Sequence, residues 1–316
     1  MSLSQLGSIR VHRHLAIEMS NDLQLVGAIF AALLGLAFGS FLNVCLSRLP
    51  EGESIASPRS HCRNCDHTLA WWENLPLLSW LILRGRCRQC KTQISVRYPI
   101  VELAVGLLWA GCWIRFGWPL FTADPIGRAI PLLIAHTCTV LIGYALLSWL
   151  LIALAALDAE HLWLPDWFTL PGIALGFVFT LVETWSHWFI DNPVSVPHAA
   201  QNCLLAILAS AAVVLFIRLA YWLVRRQEGM GLGDAKLMAM LGAWLGLTGA
   251  LESFALAILG ATITALVWLA ILTARRKTQH WAKMPLPLGT FLCLAALSEI
   301  FYPNWLLDWW LRAYLP

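Results

Sequence analysis

Apolar runs of about 20 residues, the length of a membrane-crossing helix, recur along most of this 316-residue chain. Inside lipid only α-helices and closed barrels satisfy every backbone polar group. Hydrophobic residues make up 59% of the chain and charged residues only 12%, against the roughly 25% charged residues usual in soluble domains. The sequence therefore predicts an all-α protein that crosses a membrane several times.

The hydrophobicity pattern predicts about eight transmembrane spans and one polar segment between the first two. The spans are predicted at residues 23–46, 99–116, 130–157, 167–190, 199–224, 235–249, 251–273 and 285–301. We divide the chain accordingly into residues 1–22, the first span 23–46, a small domain at 47–98, a helical bundle at 99–301 and an aromatic segment at 302–316. The aromatic segment is typical of an anchor at the membrane–water interface.

Arginine and lysine residues are distributed unevenly between the two predicted sides of the bundle. They concentrate in residues 47–98 and in the connections after the fifth and seventh spans. The opposite side holds only Arg10, Arg13, Arg128 and Arg312. The positive-inside rule therefore places residues 47–98 in the cytoplasm. With an even number of spans, residues 1–22 and 302–316 both face the periplasm of a two-membrane bacterium. The net charge of +3 gives no basis for nucleic-acid binding.

A cleaved signal peptide is the alternative interpretation of residues 1–40, because this stretch ends in small residues. Its apolar part begins late and is longer than the core of a signal peptide. Cleavage there would also leave the arginine-rich segment on the wrong side of the membrane. We therefore interpret the stretch as a retained span.

Four of the nine cysteines form two closely spaced pairs in the polar domain. Two residues separate Cys62 from Cys65 and Cys87 from Cys90, and the twenty-one residues from 66 to 86 separate the pairs. This spacing is typical of a tetrahedral zinc site, slightly beyond the usual connector of about 15 to 20 residues. Four thiolates leave no coordination position for water, so the predicted zinc is structural.

The chemistry of these thiols favours zinc over other uses. Cytoplasmic cysteines stay reduced, and an all-sulfur ligand set disfavours magnesium and calcium. A segment as short as 47–98 is too small to fold on apolar burial alone, so metal binding is expected to supply folding free energy. The alternatives are iron and a redox-active thiol pair of a membrane oxidoreductase, which requires an accessible thiolate.

Two aspartates lie where predicted spans meet the cytoplasmic boundary. Asp158 ends the third span in LLIALAALD, and Asp234 opens the sixth in GMGLGDAKLMAML. Carboxylates at membrane depth are costly, so they are by default functional candidates. Two carboxylates in one site share one proton, and one can then deprotonate water while the other protonates the scissile carbonyl. The pair predicts an aspartyl hydrolase.

Helix capping is the alternative role for these acids. Asp234 is well placed as an N-cap before AKLMAML, and Asp166 has the same pattern after Pro165. On Asp234 alone capping is the better interpretation, whereas its matched depth with Asp158 favours catalysis. Gly231 and Gly233 are predicted to let an extended substrate approach Asp234, because glycine permits close backbone contact.

Five segments, taken in order, resemble the type IV prepilin peptidases, the leader peptidases and N-methyltransferases of pilus and type II secretion systems. They are GSFLNVCLSRLP (39–50), the paired C-x-x-C with NLPLLSWLILRGRC (74–87), RYPIVELAVG (97–106), LDAEHLWLPDWFTLP (157–171) and GMGLGDAKLMAMLGAWLG (229–246). Their joint order and spacing are more specific than any one of them, and they cover nearly the whole chain.

The resemblance implies that Asp158 and Asp234 are the catalytic dyad. It implies that Gly231 and Gly233 are the glycines of the Gly-x-Gly-Asp motif and that Asp166 belongs to the Leu-Pro-Asp that follows the first catalytic aspartate. The implied substrates are prepilin or pseudopilin precursors, cut at the cytoplasmic face of the bacterial inner membrane, after a glycine and usually before a phenylalanine. Methylation of the new amino terminus by S-adenosylmethionine is implied as well, and the cysteine domain is associated with full-length bifunctional enzymes.

Three questions stay open in the sequence. Thr290 departs from the resemblance, in which proline is commoner, and is expected to lie away from both aspartates. Glu102, at the start of the second span, is expected either to orient the new amine of the substrate or to extend to the interface. An inactive scaffold that docks secretion components through its zinc domain would have the same spans, although it has no need of two acids at one depth. The S-adenosylmethionine site, the particular pilins and the oligomeric state are not determined.

Overall fold

A computed structural model describes residues 3–117, 130–188, 195–227, 230–274 and 286–314. Regular structure in these ranges is helical, and two isolated β-bridges occur in the cysteine domain. The helices are α1 (Leu3–Arg48), α2 (Leu78–Ile82), α3 (Arg97–Phe116), α4 (Ile130–His161), α5 (Asp166–Trp188), α6 (Val196–Arg225), α7 (Leu232–Ala274), α8 (Leu288–Phe301) and α9 (Trp305–Tyr314). The prediction of an all-α fold is confirmed.

Among the described residues, six helices are long and apolar enough to cross a membrane. The count is seven if α8 and α9, bent by 68°, form one broken span. The predicted spans 235–249 and 251–273 both lie within α7, which accounts for the difference from eight. Gly246 interrupts α7 with φ 71° and ψ −179°, a conformation that is essentially limited to glycine. The chain is a multi-pass membrane protein.

The first helix continues beyond the span predicted for it. α1 begins at Leu3, so residues predicted as a separate N-terminal segment are helical, and it ends at Arg48. A short 3₁₀ turn at Leu49–Glu51 follows and ends at Gly52, whose φ of 69° allows the chain to leave the helix direction. The next long helix begins at Arg97. The segment between α1 and α3 therefore comprises residues 49–96.

The chain forms two compact units, Met1–Trp149 and Leu150–Pro316. Their boundary lies inside α4. The first unit holds α1, the cysteine domain, α3 and the first part of α4. The second holds the end of α4 and all the helices from α5 to α9, including both predicted catalytic aspartates.

In the first unit, glycines allow α1 and α3 to approach closely. A Cβ at Gly35 would lie 2.8 Å from Cα of Gly106, and one at Gly39 would lie 2.7 Å from Cα of Glu102. Small residues at such crossings let the two backbones approach closely. The resulting van der Waals contacts drive helix association in lipid, where no hydrophobic driving force acts between helices. The crossing fixes Glu102 against the end of α1.

In the second unit, α7 is the helix around which the others pack. A Cβ at Gly242 would lie 2.5 Å from the carbonyl oxygen of Ala206 on α6. On α5, the carbonyl of Gly172 accepts a hydrogen bond of 2.8 Å from Nε1 of Trp244. Contacts with two neighbouring helices hold α7 in place, and they position the aspartate in its first turn.

Candidate active site and metal centre

Asp158 lies in the last turn of α4 and is only 5% exposed. The helix ends three residues later because Leu162 takes a left-handed conformation (φ 52°) and donates its N–H to the carbonyl of Asp158 at 2.9 Å. Pro165 follows, and the residue before a proline is disfavoured in a helix. The short segment 162–165 therefore turns the chain sharply between α4 and α5.

The side chain of Asp158 is held at the N-terminus of α8. Its Oδ2 accepts hydrogen bonds from the backbone N–H of Thr290 at 2.6 Å and from the Thr290 hydroxyl at 3.1 Å. Helix N-termini have unpaired N–H groups and the positive end of the helix dipole, so this position favours a carboxylate. The expectation that Thr290 lies away from both aspartates is wrong.

Gly289 allows α8 to approach Asp158 this closely. A Cβ at Gly289 would lie 3.0 Å from both Cγ and Oδ2 of Asp158, and 3.0 Å from Cδ1 of Leu164. Neither Gly289 nor Thr290 was predicted as a site residue. The available signal was the Pro-Leu-Gly-Thr run at the beginning of the last predicted span, 285–301, which marks a helix start without indicating which residue packs against it.

Asp234 is half-buried in the first turn of α7. The helix begins at Leu232, so Asp234 is its third residue rather than its N-cap. Its Oδ2 accepts a hydrogen bond of 3.2 Å from the backbone N–H of Gly231, the residue that precedes the helix. An acidic side chain at this third position reaches back in this way in capping boxes. Asp234 therefore does contribute to capping, from inside the helix rather than from the predicted N-cap position.

Leu164 connects the surroundings of the two aspartates. The buried side chain of Leu164 contacts Gly289 near Asp158. A Cβ at Gly233 would lie 3.0 Å from the Cβ of Leu164. Gly233 directly precedes Asp234, so one leucine packs against both halves of the site. The close contact gives Gly233 a packing role, in addition to the substrate approach that was predicted for this motif.

The two carboxylates are near enough to interact electrostatically with each other. Both also interact with Cys293, which is 0% exposed and lies one turn after Thr290 in α8. Two aspartates from positions 158 and 234 thus share one compact unit and one neighbour. Such a pair can hold a single proton between its members.

Asp166 does not cap α5 in isolation but pairs with Lys236. Its Oδ1 lies 2.5 Å from Nζ of Lys236 in α7, two residues after Asp234. Both side chains are partly exposed, and such ion pairs contribute only about 0–1 kcal/mol. The segment before Asp234 has a second attachment, since Nη1 of Arg218 donates to the carbonyl of Met230 at 2.6 Å. These contacts orient the start of α7.

The four predicted metal ligands converge in the first unit. The sulfur atoms of Cys62, Cys65, Cys87 and Cys90 all lie within 4.8 Å of one another, and Cys62 Sγ is 3.7 Å from Cys90 Sγ. A tetrahedral zinc with Zn–S bonds of roughly 2.3 Å separates its sulfurs by about 3.8 Å. The donor set and its dimensions fit a metal ion.

The two cysteine pairs form matching turns. Cys62 donates its N–H to the carbonyl of His67 at 2.9 Å, and Cys87 donates to that of Thr92 at 2.8 Å. In each turn the residue after the second cysteine, Asp66 or Lys91, has a positive φ. The repeated geometry presents two sulfurs from each turn to the same point.

Protonation of the cluster reflects the crowding of its sulfurs. Hydrogen bonds from the side chain and backbone of Thr92 lower the pKa of Cys90 to about 5. A backbone hydrogen bond from His67 lowers the pKa of Cys65, but burial and the other three sulfurs outweigh it and raise that pKa to about 12. Four adjacent thiols cannot all ionise without a cation, and a bound metal supplies it.

Comparisons with known proteins match two stretches of the chain to family models. Residues 33–116 match the bacterial peptidase A24 N-terminal domain, and residues 145–270 match the type IV leader peptidase family. No solved structure matches the chain at a significant level.

Several similar proteins carry the name prepilin leader peptidase/N-methyltransferase. The one from Myxococcus xanthus is 39% identical over 82% of this chain and 68% of its own length. The one from Stutzerimonas stutzeri is 34% identical over 90% of this chain and 92% of its own. The one from Aeromonas hydrophila is 32% identical over 95% and 99%, respectively.

Proposed function

The chain belongs to the type IV leader peptidase family, and we propose that Asp158 and Asp234 are the dyad with which it removes the leader peptide from prepilins. It is a protease and an N-methyltransferase, which cleaves prepilins and methylates the new amino terminus. The observation that carries the assignment of the dyad is that Leu164 packs against Gly289, which contacts Asp158, and against Gly233, which precedes Asp234.

The hydrogen bonds of the two aspartates support a division of roles. Donors to a carboxylate favour its ionised form, and Asp158 accepts two bonds from Thr290, whereas Asp234 accepts one from Gly231. Asp158 is then the base that takes a proton from the attacking water. Asp234 carries the shared proton and transfers it toward the scissile peptide, as in general acid–base hydrolysis.

The glycines and Asp166 support the dyad in this scheme. A helical substrate hides its scissile peptide in its own hydrogen bonds, so the cut segment must be extended at the site. Gly231 is exposed and leaves space beside Asp234 for such a segment, whereas Gly233 allows Leu164 to pack against the start of α7. The Asp166–Lys236 pair orients the first turn of α7 and is a positioning pair without a role in proton transfer.

Two groups that the chain does not itself contain complete the function. The four-cysteine cluster holds a metal ion, which we assign as structural zinc on its all-sulfur donor set and its dimensions. S-adenosylmethionine is the methyl donor. It supplies an electrophilic methyl group, and the residues of this chain must bind it and bring the new amine of the substrate to it.

The charge distribution supports an inner-membrane location with the dyad at the cytoplasmic face. A pilin precursor has a basic leader followed by an apolar helix, so its cleavage junction lies at headgroup depth. Asp158 at the end of α4 and Asp234 at the start of α7 have the matching depth in the sequence. Prepilins or pseudopilins are then cut where the leader emerges on the cytoplasmic side.

Mass spectrometry of a prepilin precursor tests the dyad. Incubation with purified protein removes the leader, and Asp158→Asn or Asp234→Asn slows cleavage at least about 100-fold, since each removes an acid–base group. Asp166→Asn causes a smaller loss. Asp308→Asn makes the same chemical change at an exposed position of α9 and leaves cleavage unchanged. A tenth of normal turnover in either dyad variant would overturn the assignment.

A scaffold without catalysis is not favoured as the alternative. The similar proteins named above are peptidases and methyltransferases, and a scaffold leaves the paired aspartates without a purpose. The thiol oxidoreductase alternative is not favoured either, because all four thiols meet at one point.

A further inference from the structure

Large apolar side chains are exposed along residues 71–82 of the cysteine domain. They belong to the 3₁₀ turn Trp71–Asn74, the helix α2 and the link between them, and we call them the apolar face: Trp71, Trp72, Leu75, Leu78, Leu81 and Ile82. The only charged residue between positions 68 and 83 is Glu73, which is buried. Exposed apolar patches of this kind mark contact sites with a protein or a membrane.

The packing of α2 turns its apolar residues away from the rest of the domain. Leu78, Leu81 and Ile82 are three and four positions apart, so they share one side of the helix, and they are 56%, 63% and 77% exposed. On another side, Nε1 of Trp80 donates a hydrogen bond of 3.3 Å to the carbonyl of Ile94. This bond holds α2 with its three aliphatic side chains facing outward.

A hydrogen bond attaches the start of α2 to a membrane-spanning helix. Oε2 of Glu102 accepts the backbone N–H of Leu77 at 2.8 Å, a contact that neither role expected of Glu102 includes. Glu102 is buried in α3 about 7.5 Å along the helix axis from Arg97, where α3 begins. Leu77 has a φ of 58°, which is unusual for a bulky side chain. α2 is therefore fixed beside the first turns of a span.

Apolar side chains of α3 are exposed at the same level of the molecule. Ile100 and Leu103, on either side of Glu102 in the sequence, are 60% and 46% exposed. Exposed apolar side chains on a spanning helix lie in lipid, so the boundary between headgroups and acyl chains reaches the level at which α2 is attached. The apolar face of the cysteine domain lies next to that boundary.

Basic side chains directly follow the apolar face. Arg84, Arg86 and Lys91 are exposed and line one surface hollow together with Leu83, the first residue after α2. The stretch from 84 to 91 also contains Arg88 and has no acidic residue. An apolar surface beside a basic one is typical of segments that lie in the membrane interface, where the basic groups meet the phosphates of anionic lipids.

We propose that the apolar face and this basic hollow bind the membrane surface. The apolar side chains enter the boundary between headgroups and acyl chains, and the hollow binds the phosphate groups of anionic phospholipids. Trp71 and Trp72 pack edge to face, with ring centroids 5.5 Å apart, and tryptophan is enriched at this boundary.

The consequence is that the cysteine domain is anchored at headgroup depth instead of extending into the cytosol. Under the orientation proposed above, the leaflet concerned is the cytoplasmic one, where the cleavage junction of a prepilin lies. The lipid contact itself depends neither on that orientation nor on the proposed dyad, because vesicles present the same lipid to both faces of the protein.

Photo-cross-linking of the full-length protein with bound zinc tests the contact. The protein is reconstituted in vesicles of phosphatidylethanolamine and phosphatidylglycerol that contain a trace of phosphatidylglycerol with a diazirine on its acyl chain. Labelled peptides are located by mass spectrometry. Residues 71–82 are expected to be labelled at a yield comparable with residues 100–107 of α3. Residues 63–68 of the same domain are polar and should stay unlabelled.

A matched pair of variants tests the basic hollow. A second diazirine lipid, with a phosphatidylcholine headgroup, gives the preference of residues 71–82 for anionic lipid. Arg84→Gln is expected to lower that preference roughly 5-fold, the equivalent of about 1 kcal/mol for one basic residue near an anionic surface. Arg59→Gln makes the same change at an exposed position outside the hollow and should leave it unchanged. Zinc content verifies the fold of each variant.

Two results would overturn the proposal. If α3 is labelled and residues 71–82 are not, the apolar face does not contact lipid, and cross-links from that face to added prepilin or to a second copy of the chain would assign it to a protein partner. If Arg84→Gln and Arg59→Gln have equal effects on the preference for phosphatidylglycerol, the hollow does not bind anionic headgroups. Loss of peptidase activity in the dyad variants leaves these measurements unaffected, so the two proposals fail separately.

Discussion

Gly289→Ala tests whether close approach of α8 to Asp158 is required for peptide cleavage. The added Cβ would lie 3.0 Å from Cγ and Oδ2 of Asp158 and 3.0 Å from Cδ1 of Leu164. Such contacts are tighter than ordinary ones, so the carboxylate, the leucine or the start of α8 must move by a few tenths of an ångström. Movement of the carboxylate displaces one catalytic group of the proposed dyad.

The size of the effect follows from that displacement. A misplacement of 1 Å costs on the order of 100-fold in rate, so a shift of a few tenths of an ångström is expected to cost roughly 4- to 10-fold in kcat. Overpacking also destabilises by about 1–3 kcal/mol, partly offset by the better helix propensity of alanine, about 1 kcal/mol. The loss of activity is therefore expected to exceed any loss of folded protein.

Cleavage kinetics and thermal unfolding of the purified protein separate the two effects. Gly260→Ala is the matched control, because its Cβ would meet Phe291 only at 3.4 Å and the change should preserve kcat. If Gly289→Ala cleaves prepilin at the wild-type rate with unchanged KM, the carboxylate either does not move or does not act, and the geometric argument for the site fails.

Three further predictions concern the other contacts of the structure. Thr290→Val removes the hydroxyl donor to Asp158 and is expected to lower kcat roughly 5- to 10-fold, for a hydrogen bond worth about 1–1.5 kcal/mol. The control Thr290→Ser keeps the hydroxyl and stays near the wild type. A valine variant with full kcat would contradict a role for this hydroxyl. Chelation of zinc is expected to expose residues 47–98 to protease while circular dichroism shows a helical bundle, and unchanged proteolysis would contradict a structural metal. The pKa of Glu73 is lowered, chiefly by the hydrogen bond from the N–H of Ala70. The ionised carboxylate therefore stabilises the folded domain at pH values above the ordinary carboxyl pKa. This stabilisation is lost as the pH falls through the lowered pKa of the folded state. Glu73→Gln should therefore reduce the melting temperature of the domain at neutral pH, with a difference that vanishes in acid; a difference that persists there would show that charge is not the cause.

The local features of this protein can be predicted from the sequence because each depends on neighbours along the chain. Span length follows from the thickness of the bilayer. The two C-x-x-C turns follow from the spacing that lets two cysteines of one turn bind the same metal ion. The positions of Asp158 and Asp234 at the ends of apolar runs are enough to identify both as candidates. The break in α7 was also expected, although Gly246 rather than residue 250 carries it.

Tertiary structure decided which distant residues meet, because hydrophobicity and spacing carry no information about partners. Thr290 is 132 residues from Asp158 in the chain yet donates two hydrogen bonds to it, and the pattern around Thr290 suggested the opposite. The same holds for Leu164, which lies in the turn between α4 and α5 and packs against Gly289 and Gly233. Gly39 lies against the backbone of Glu102 because α1 and α3 cross closely, and a contact that depends on the packing of two helices has no signature in either one alone.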